Sequence, residues 1–160
     1  MTLFRVWIVA AAGEGVPEPL AATLATVDED GLPDSRTLIL KDVDERGWAF
    51  AGTRSSRKAA QIASNPVGAL NFWWQPMMRA VRIRGGISEA TVSESAADLA
   101  SRSPSARAAL GDSQWVLWRI DAVRVEFWQG SPDRKHTRIV YERIESGWTH
   151  SVLDVDSPKD

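Results

Sequence analysis

The chain of 160 residues has no cysteine, which removes disulfide staples, thiolate metal sites and cysteine nucleophiles together. Only two histidines occur, His136 and His150. With no thiolate to help them and several cations near His136, no metal site is expected. The glycine-rich dinucleotide loop, the Gly-Lys-Ser/Thr phosphate loop and the Gly-x-Ser-x-Gly elbow are all missing. Charge of one sign is missing too: 19 basic against 21 acidic residues leave −2, too balanced for a surface that wraps nucleic acid. The apolar run Trp7 to Ala12 stops at Gly13, far short of the ~20 residues that span a bilayer. It predicts a short amphipathic helix in a cytoplasmic protein, with neither a membrane nor a nucleic acid as partner.

What is present suits one globular domain over 1–160, with 44% hydrophobic residues to build a core. Leu3, Phe4, Trp7, Ile8 and Ala11 keep helical spacing behind Thr2, and Gly13 to Pro19 ends that helix. Strands are predicted over Ala22–Val27, Arg36–Lys41 and Trp48–Thr53, with turns at Asp28–Gly31 and Asp42–Gly47. Ser55 or Ser56 caps a helix carrying Ala59, Ile62 and Ala63, which stops at Asn65-Pro66. Val67–Trp74 and Arg79–Ile87 read as strands, Ser93–Ser101 and Pro104–Gly111 as helices. Trp115–Ile120, Val123–Trp128, His136–Arg143 and Trp148–Leu153 complete the strands. Mostly antiparallel strands with short helices between them argue for a β-barrel or sandwich.

The chemistry is carried by cations. From Arg46 to Ser88 there is no Asp or Glu, while Arg46, Arg54, Arg57, Lys58, Arg79, Arg82 and Arg84 fall in the stretch, a pattern that suggests a bound anion. Ser55-Ser56-Arg57-Lys58 brings hydroxyls, free N–H groups and cations to one helix N-terminus, where the helix dipole also favours an anion. Arg36 and Lys41 flank the strand before that stretch and point to opposite faces of it, which fits two separate anions. After Trp128, a strand through Arg134, His136 and Arg138 would put two guanidinium groups and an imidazole in a row.

These segments, in order, resemble the pyridoxamine 5'-phosphate oxidase family. The match runs from about Pro17 to Trp148. It includes Ala25-Thr26-Val27, Ser35-Arg36-Thr37-Leu38-Ile39-Leu40-Lys41, Ser56-Arg57-Lys58, Val81-Arg82-Ile83-Arg84-Gly85 and Ser101-Arg102. Its most specific block is Glu126-Phe127-Trp128-Gln129-Gly130 followed by Arg134-x-His136-x-Arg138. The resemblance implies a mainly β fold with short helices, the antiparallel split β-barrel of the FMN-binding type, and a homodimer with FMN at the subunit interface. Arg36, Thr37, Leu38, Ile39 and Lys41 would lie along the flavin, with Ser56, Arg57 and Lys58 on its phosphate and Trp128 and Arg138 reaching from the other subunit. Lys41 and Arg102 would hold the substrate phosphate; Arg134 and His136 would orient the ring as catalytic residues.

The implied reaction is hydride transfer from pyridoxamine or pyridoxine 5'-phosphate to flavin N5, then reoxidation by O2. The cofactor would carry the redox step and the protein its placement. Alternatives are the same chemistry on another small-molecule substrate such as a phenazine-type ring, a deazaflavin in place of FMN, or a flavin- or pyridoxal-phosphate-binding protein without turnover. The chain departs from the family pattern at Ala80, where a flavin-bonding Gln is usual, and at Asp98, where a phosphate-binding Tyr is usual. The Ser103–Gln114 segment is also shorter than usual, and the Arg-Leu-x-Pro ending is replaced by Ser151-Val152-Leu153-Asp154.

Overall fold

A computed structural model describes residues 2–108, 110 and 114–154. Helix α1 (Thr2–Gly13) leads into strands β1 (Ala21–Val27), β2 (Pro33–Ile39), β3 (Asp42–Asp44) and β4 (Gly47–Thr53). Helix α2 (Arg57–Ser64) precedes β5 (Val67–Trp74) and β6 (Arg79–Glu89), which a single 3-10 turn, Gln75–Met77, connects. Helices α3 (Val92–Ala100) and α4 (Pro104–Ala108) come before β7 (Trp115–Gln129), β8 (Thr137–Ile144) and β9 (Gly147–Asp154). All pairings are antiparallel, in the order β2-β1-β5-β6-β7-β4-β3, with β8 added on β7 and β9 on β8. The sheet forks rather than closing. One edge of β7 follows β6, while the other edge pairs first with β4 over 115–120 and then with β8 over 124–129.

The sequence suggests two strands where the structure has one continuous β7. The polar Asp121 is exposed but stays in register with Gly86, and the irregularity is a bulge opposite Arg84/Gly85 instead of a break. Gly85 makes the bulge practicable, because a Cβ there would lie 2.0 Å from the Asp121 carbonyl oxygen. Asp42–Asp44, expected as turn, pairs with β4 as β3, and β2 begins at Pro33. The cap of α3 is Thr91, in a reciprocal capping box with Glu94. Of the predicted helix 104–111, the structure describes Pro104–Ala108 as helical, and Gly111 lies outside the described residues.

Helix α1 works as a plug. Its i, i+3, i+7 face buries Phe4, Trp7 and Ala11, and the Phe4 ring meets Trp48 at 5.8 Å, Phe72 at 5.0 Å and Trp74 at 6.3 Å. Trp7 reaches Phe127 at 5.2 Å. Rings from α1, β4, β5 and β7 therefore meet in one core, and truncating a fully buried ring such as Phe4 to Ala costs about 3 to 5 kcal/mol. Trp7, Trp48, Trp74 and Trp118 serve this core and Trp115 is buried beside it, whereas Trp73 and Trp148 are each about half exposed. No helix among the described residues is long and apolar enough to cross a membrane.

Candidate flavin and substrate site

The residues expected from the sequence fall into two groups, with Arg102 apart from both beyond the end of α3. The first gathers around β1, β2 and α2. Arg36 points inward from β2, where its guanidinium donates to Thr26 Oγ1 at 2.5 Å, Gln61 Oε1 at 2.7 Å, Asp34 Oδ2 at 3.0 Å and the Leu24 carbonyl at 3.3 Å. It is held by the chain itself. Arg57 is exposed, with its Nε 3.3 Å from Asp34. The Gln61 amide, the Ser35 N–H and the Arg36 and Arg57 charges together hold the Asp34 carboxyl below its usual range. Gln61, not Ala63, is the buried position on α2, because Thr26, Arg36 and Asp34 satisfy its polar atoms.

Ser56 is the N-cap of α2, but its side chain does not cap the helix. Its Oγ donates to the Thr53 carbonyl at 2.7 Å and accepts from Lys58 Nζ at 3.3 Å. The Ala59 N–H already donates to the Ser56 carbonyl at 2.9 Å, so among the described residues the N–H groups of Arg57 and Lys58 are the ones left for another acceptor. Lys58 folds back over Gly52, where a Cβ would meet Nζ at 2.2 Å. Burial and the nearby Arg36 charge lower the Lys58 pKa, so an anion there would relieve a strained cation. Uncapped N–H groups, a hydroxyl, Arg57 and a half-buried lysine over a glycine fit a phosphate monoester. Along β2, Thr37 and Ile39 face outward while Leu38 packs on the core. Lys41 is exposed just beyond the strand.

The second group lies on β7, β8 and the loop between them. Trp128 contacts Trp73 at 6.1 Å and His136 at 5.0 Å between ring centroids. Arg138, opposite Trp128 in the ladder, has its Nε 3.2 Å from Glu126 Oε1. Glu126 also pairs with Arg82 at 2.7 Å and Arg124 at 3.3 Å, and its side chain is only 5% exposed. One buried carboxylate thus holds three guanidinium groups together. Trp73, Ala80, Arg82, Glu126, Trp128 and Arg138 line a hollow of about 320 Å³.

The expected row of Arg134, His136 and Arg138 on one strand face is not formed. β8 begins only at Thr137, and Arg134 has a left-handed backbone (φ 65°) in a turn closed by its N–H to the Ser131 carbonyl at 3.1 Å. The Ser131 N–H donates to His136 Nδ1 at 3.0 Å. That bond fixes the neutral tautomer with its proton on Nε2.

Arg102 lies over the Trp115 ring at 4.4 Å, and its buried Nε has no acceptor among the described residues. Trp115 in turn donates to Asp98 at 2.8 Å, so that carboxylate is already engaged. The acid-free stretch does not make a single cationic face. Arg46 pairs with Asp44 and Glu94, Arg54 with Glu89, Arg82 with Glu126, and Arg79 lies over Trp7. Acids from outside the stretch neutralise much of it, which a count along the sequence could not reveal.

Comparison with known proteins decides the family. The pattern defining the family described as pyridoxamine 5'-phosphate oxidase matches residues 8–145. The chain belongs to the pyridoxamine 5'-phosphate oxidase family. It is 35% identical to the pyridoxine/pyridoxamine 5'-phosphate oxidase of Thermosynechococcus vestitus, over 91% of this chain and 83% of that protein. PhzG from Burkholderia lata 383, solved with tetrahydrophenazine-1-carboxylic acid, superposes with a TM-score of 0.87 at 25% identity, covering 96% of this chain and 91% of that one. An FMN-binding, pyridoxamine 5'-phosphate oxidase-related protein from Nostoc punctiforme superposes with a TM-score of 0.81 at 19% identity, covering 94% and 97%. The forked sheet is therefore the split barrel of this family, and the names of family and relatives point to an oxidoreductase.

Sequence reading of this family member missed Asp34, Gln61, Glu126 and Trp73. Asp34 could have been found, since it alternates with Arg36 on one strand face, and Gln61 is the polar exception on the apolar side of α2. Glu126 stands inside the most specific block, but its three guanidinium partners come from β6, β7 and β8 and no local pattern announces them. Trp73 could have been placed too, since it alternates with the polar Asn71 while Trp74 alternates with Leu70 and Phe72. A further cleft of about 350 Å³, lined by Phe4, Trp48, Tyr141, Arg143 and Trp148 among others, contains none of the nominated residues.

Proposed function

We propose that the protein is an FMN-dependent oxidase of pyridoxamine and pyridoxine 5'-phosphate that works as a homodimer. The observation that carries this reading is the division of the nominated residues. Among the described residues, no hydrogen bond, ion pair or ring contact joins the phosphate-type cradle on α2 to the Trp128–His136–Arg138 group. Two copies of the chain would each supply one half of a site between them. Ser56, Arg57 and Lys58 would hold the flavin phosphate, and Arg36, Thr37, Leu38, Ile39 and Lys41 would form the wall along the ring. Trp128 and Arg138 of the second copy would close it. Bound flavin would supply the redox chemistry, accepting hydride from the substrate and passing electrons to O2.

The chain's own part is placement and charge. Lys41 and Arg102 would neutralise the substrate phosphate, Arg102 being braced by Trp115 rather than by a carboxylate. Arg134, in its turn, and His136, whose Nε2–H has no acceptor among the described residues, would orient the ring. Protonating His136 would place a hydrogen on Nδ1 and break the Ser131 bond that fixes the imidazole.

A second reading keeps the flavin and changes the ring. It is favoured by Asp98, committed to Trp115 where the family pattern has a phosphate-binding hydroxyl, and by the likeness to PhzG. The deciding experiment is the visible spectrum after incubation with FMN and removal of the excess, followed by anaerobic pyridoxamine 5'-phosphate. Retained yellow colour that bleaches is the expected result. Colour that persists moves the assignment to another ring, and no retained colour overturns the flavin reading.

A further inference from the structure

Ala80 on β6 is in register with Trp73 on β5 and with Trp128 on β7, so the three residues lie abreast on one face of the sheet. Trp73 and Trp128 are two strands apart, a backbone separation of about 10 Å. Their ring centroids are nonetheless 6.1 Å apart, inclined at 46°. The indoles close that gap by leaning together above a single methyl group. A longer side chain at position 80 would stand between them.

The resulting strip continues from Trp128 to His136, whose ring is 5.0 Å away. Trp73 is 50% exposed, and what sets it apart is that it does not stand alone but joins Trp128 and His136 in one contiguous aromatic strip. Arg82 and Arg138 stand on the rim of the same hollow, tied to the buried Glu126 beneath. Apart from its Nε contact to Glu126, the Arg138 side chain has no partner among the described residues, so its terminal nitrogens remain open. A flat π-surface bordered by guanidinium groups suits a planar ring with electron-rich or anionic edge atoms.

We propose that Trp73, made possible by Ala80, is a ring-binding residue of the site. With Trp128 it forms a floor for a planar heteroaromatic ring whose oxygen-bearing edge meets Arg82 and Arg138. Two sources share that chemistry: the ring of the cofactor and the ring of the substrate. The proposal rests on the flavin reading for its choice of probes, not for its geometry.

The test compares the native protein with Trp73→Ala, Trp73→Phe and Ala80→Leu. FMN dissociation constants are read from flavin fluorescence quenching; pyridoxal 5'-phosphate constants are read by absorbance, on FMN-loaded protein where FMN binds and otherwise on the protein alone. Melting temperature and sedimentation accompany each variant. Trp73→Ala is expected to weaken one of the two ligands about tenfold or more. Loss of FMN assigns the floor to the cofactor, and loss of pyridoxal 5'-phosphate alone assigns it to the substrate. Trp73→Phe should stay within about threefold of native, whereas Ala80→Leu, which offers a ligand no hydrogen bond, should behave as Trp73→Ala by wedging the indoles apart. A native protein that binds pyridoxal 5'-phosphate through Trp73 but no FMN would sink the flavin reading and leave the floor standing. The proposal is overturned if Trp73→Ala binds both probes within twofold of native. It is equally overturned if every loss coincides with a change of oligomeric state or a lowered melting temperature, or if the native protein binds neither probe.

Discussion

The two halves of the candidate site differ in how far the chain completes them by itself. Around α2, Arg36 makes four hydrogen bonds to its own chain, and Asp34 and Gln61 are tied into the same network. Around β7 and β8, Arg138 has one carboxylate contact and an unsatisfied Nε, and Trp73 leaves half its surface open. A buried polar network that is fully satisfied fixes geometry, whereas one left open marks where a further group belongs. The first half is a finished support that presents Arg57 and Lys58, and the second is unfinished until something meets it.

That contrast can be broken at several points. The largest effect is expected for His136→Ala, which should keep FMN but lower substrate oxidation about 100-fold or more, read by O2 consumption; unchanged turnover would remove His136 from the site. Arg57→Ala removes a charge-assisted phosphate contact, worth about 1.5 to 3 kcal/mol, so FMN should bind about 10- to 150-fold more weakly in a fluorescence titration. Retained affinity would show that the phosphate sits elsewhere. Arg36→Met tests, besides its place along the ring, how far its network supports the fold. It strands Thr26, Gln61 and Asp34 and should cost about 2 kcal/mol in denaturant unfolding, while Arg138→Met should leave stability nearly unchanged. Equal losses from the two would erase the distinction.

Smaller effects sharpen the picture. Gly52→Ala should leave folding almost intact, since the atom in the way is the flexible end of Lys58, yet weaken FMN by displacing that ammonium. Because the Lys58 pKa is lowered, FMN affinity should start to fall at a pH below the ordinary lysine range, and Lys58→Arg should abolish that early fall. Glu94 supplies the pH control away from the site. Thr91 hydrogen bonds, with help from Arg119 and Arg46, bring its pKa from 4.5 to about 2. A depressed carboxylate contributes stability that is complete above its unfolded value and lost as pH drops through its folded one. Acid titration of unfolding should therefore show a loss between about 4.5 and 2 that Glu94→Gln lacks.

Much of this was legible in the sequence because local pattern and local structure agree. The face Phe4, Trp7, Ala11 is one stripe of a helix, and Arg79–Ile87 alternates as an edge-to-edge ladder requires. The cradle at Ser56, Arg57 and Lys58 was legible for the same reason, being contiguous. What failed was long-range. That Arg36 turns inward to Gln61, or that Glu126 gathers Arg82, Arg124 and Arg138, depends on pairings between residues up to 44 apart. The row of Arg134, His136 and Arg138 fails because a strand-like alternation was extended through a turn that Gly130-Ser131-Pro132-Asp133 do mark, although nothing there shows that Arg134 is the left-handed residue.

The forked strand β7 has a consequence in time as well as space. Both β4 and β6 take β7 as a neighbour, and β8 and β9 join the sheet only through it. A chain emerging from the ribosome has no partner for the free edges of β4 and β6 until residues 115–129 are made. Pairings this distant carry a large loop-closure cost. Assembly of the barrel therefore waits on one late fifteen-residue segment, and until then the nascent chain exposes open strand edges to its neighbours.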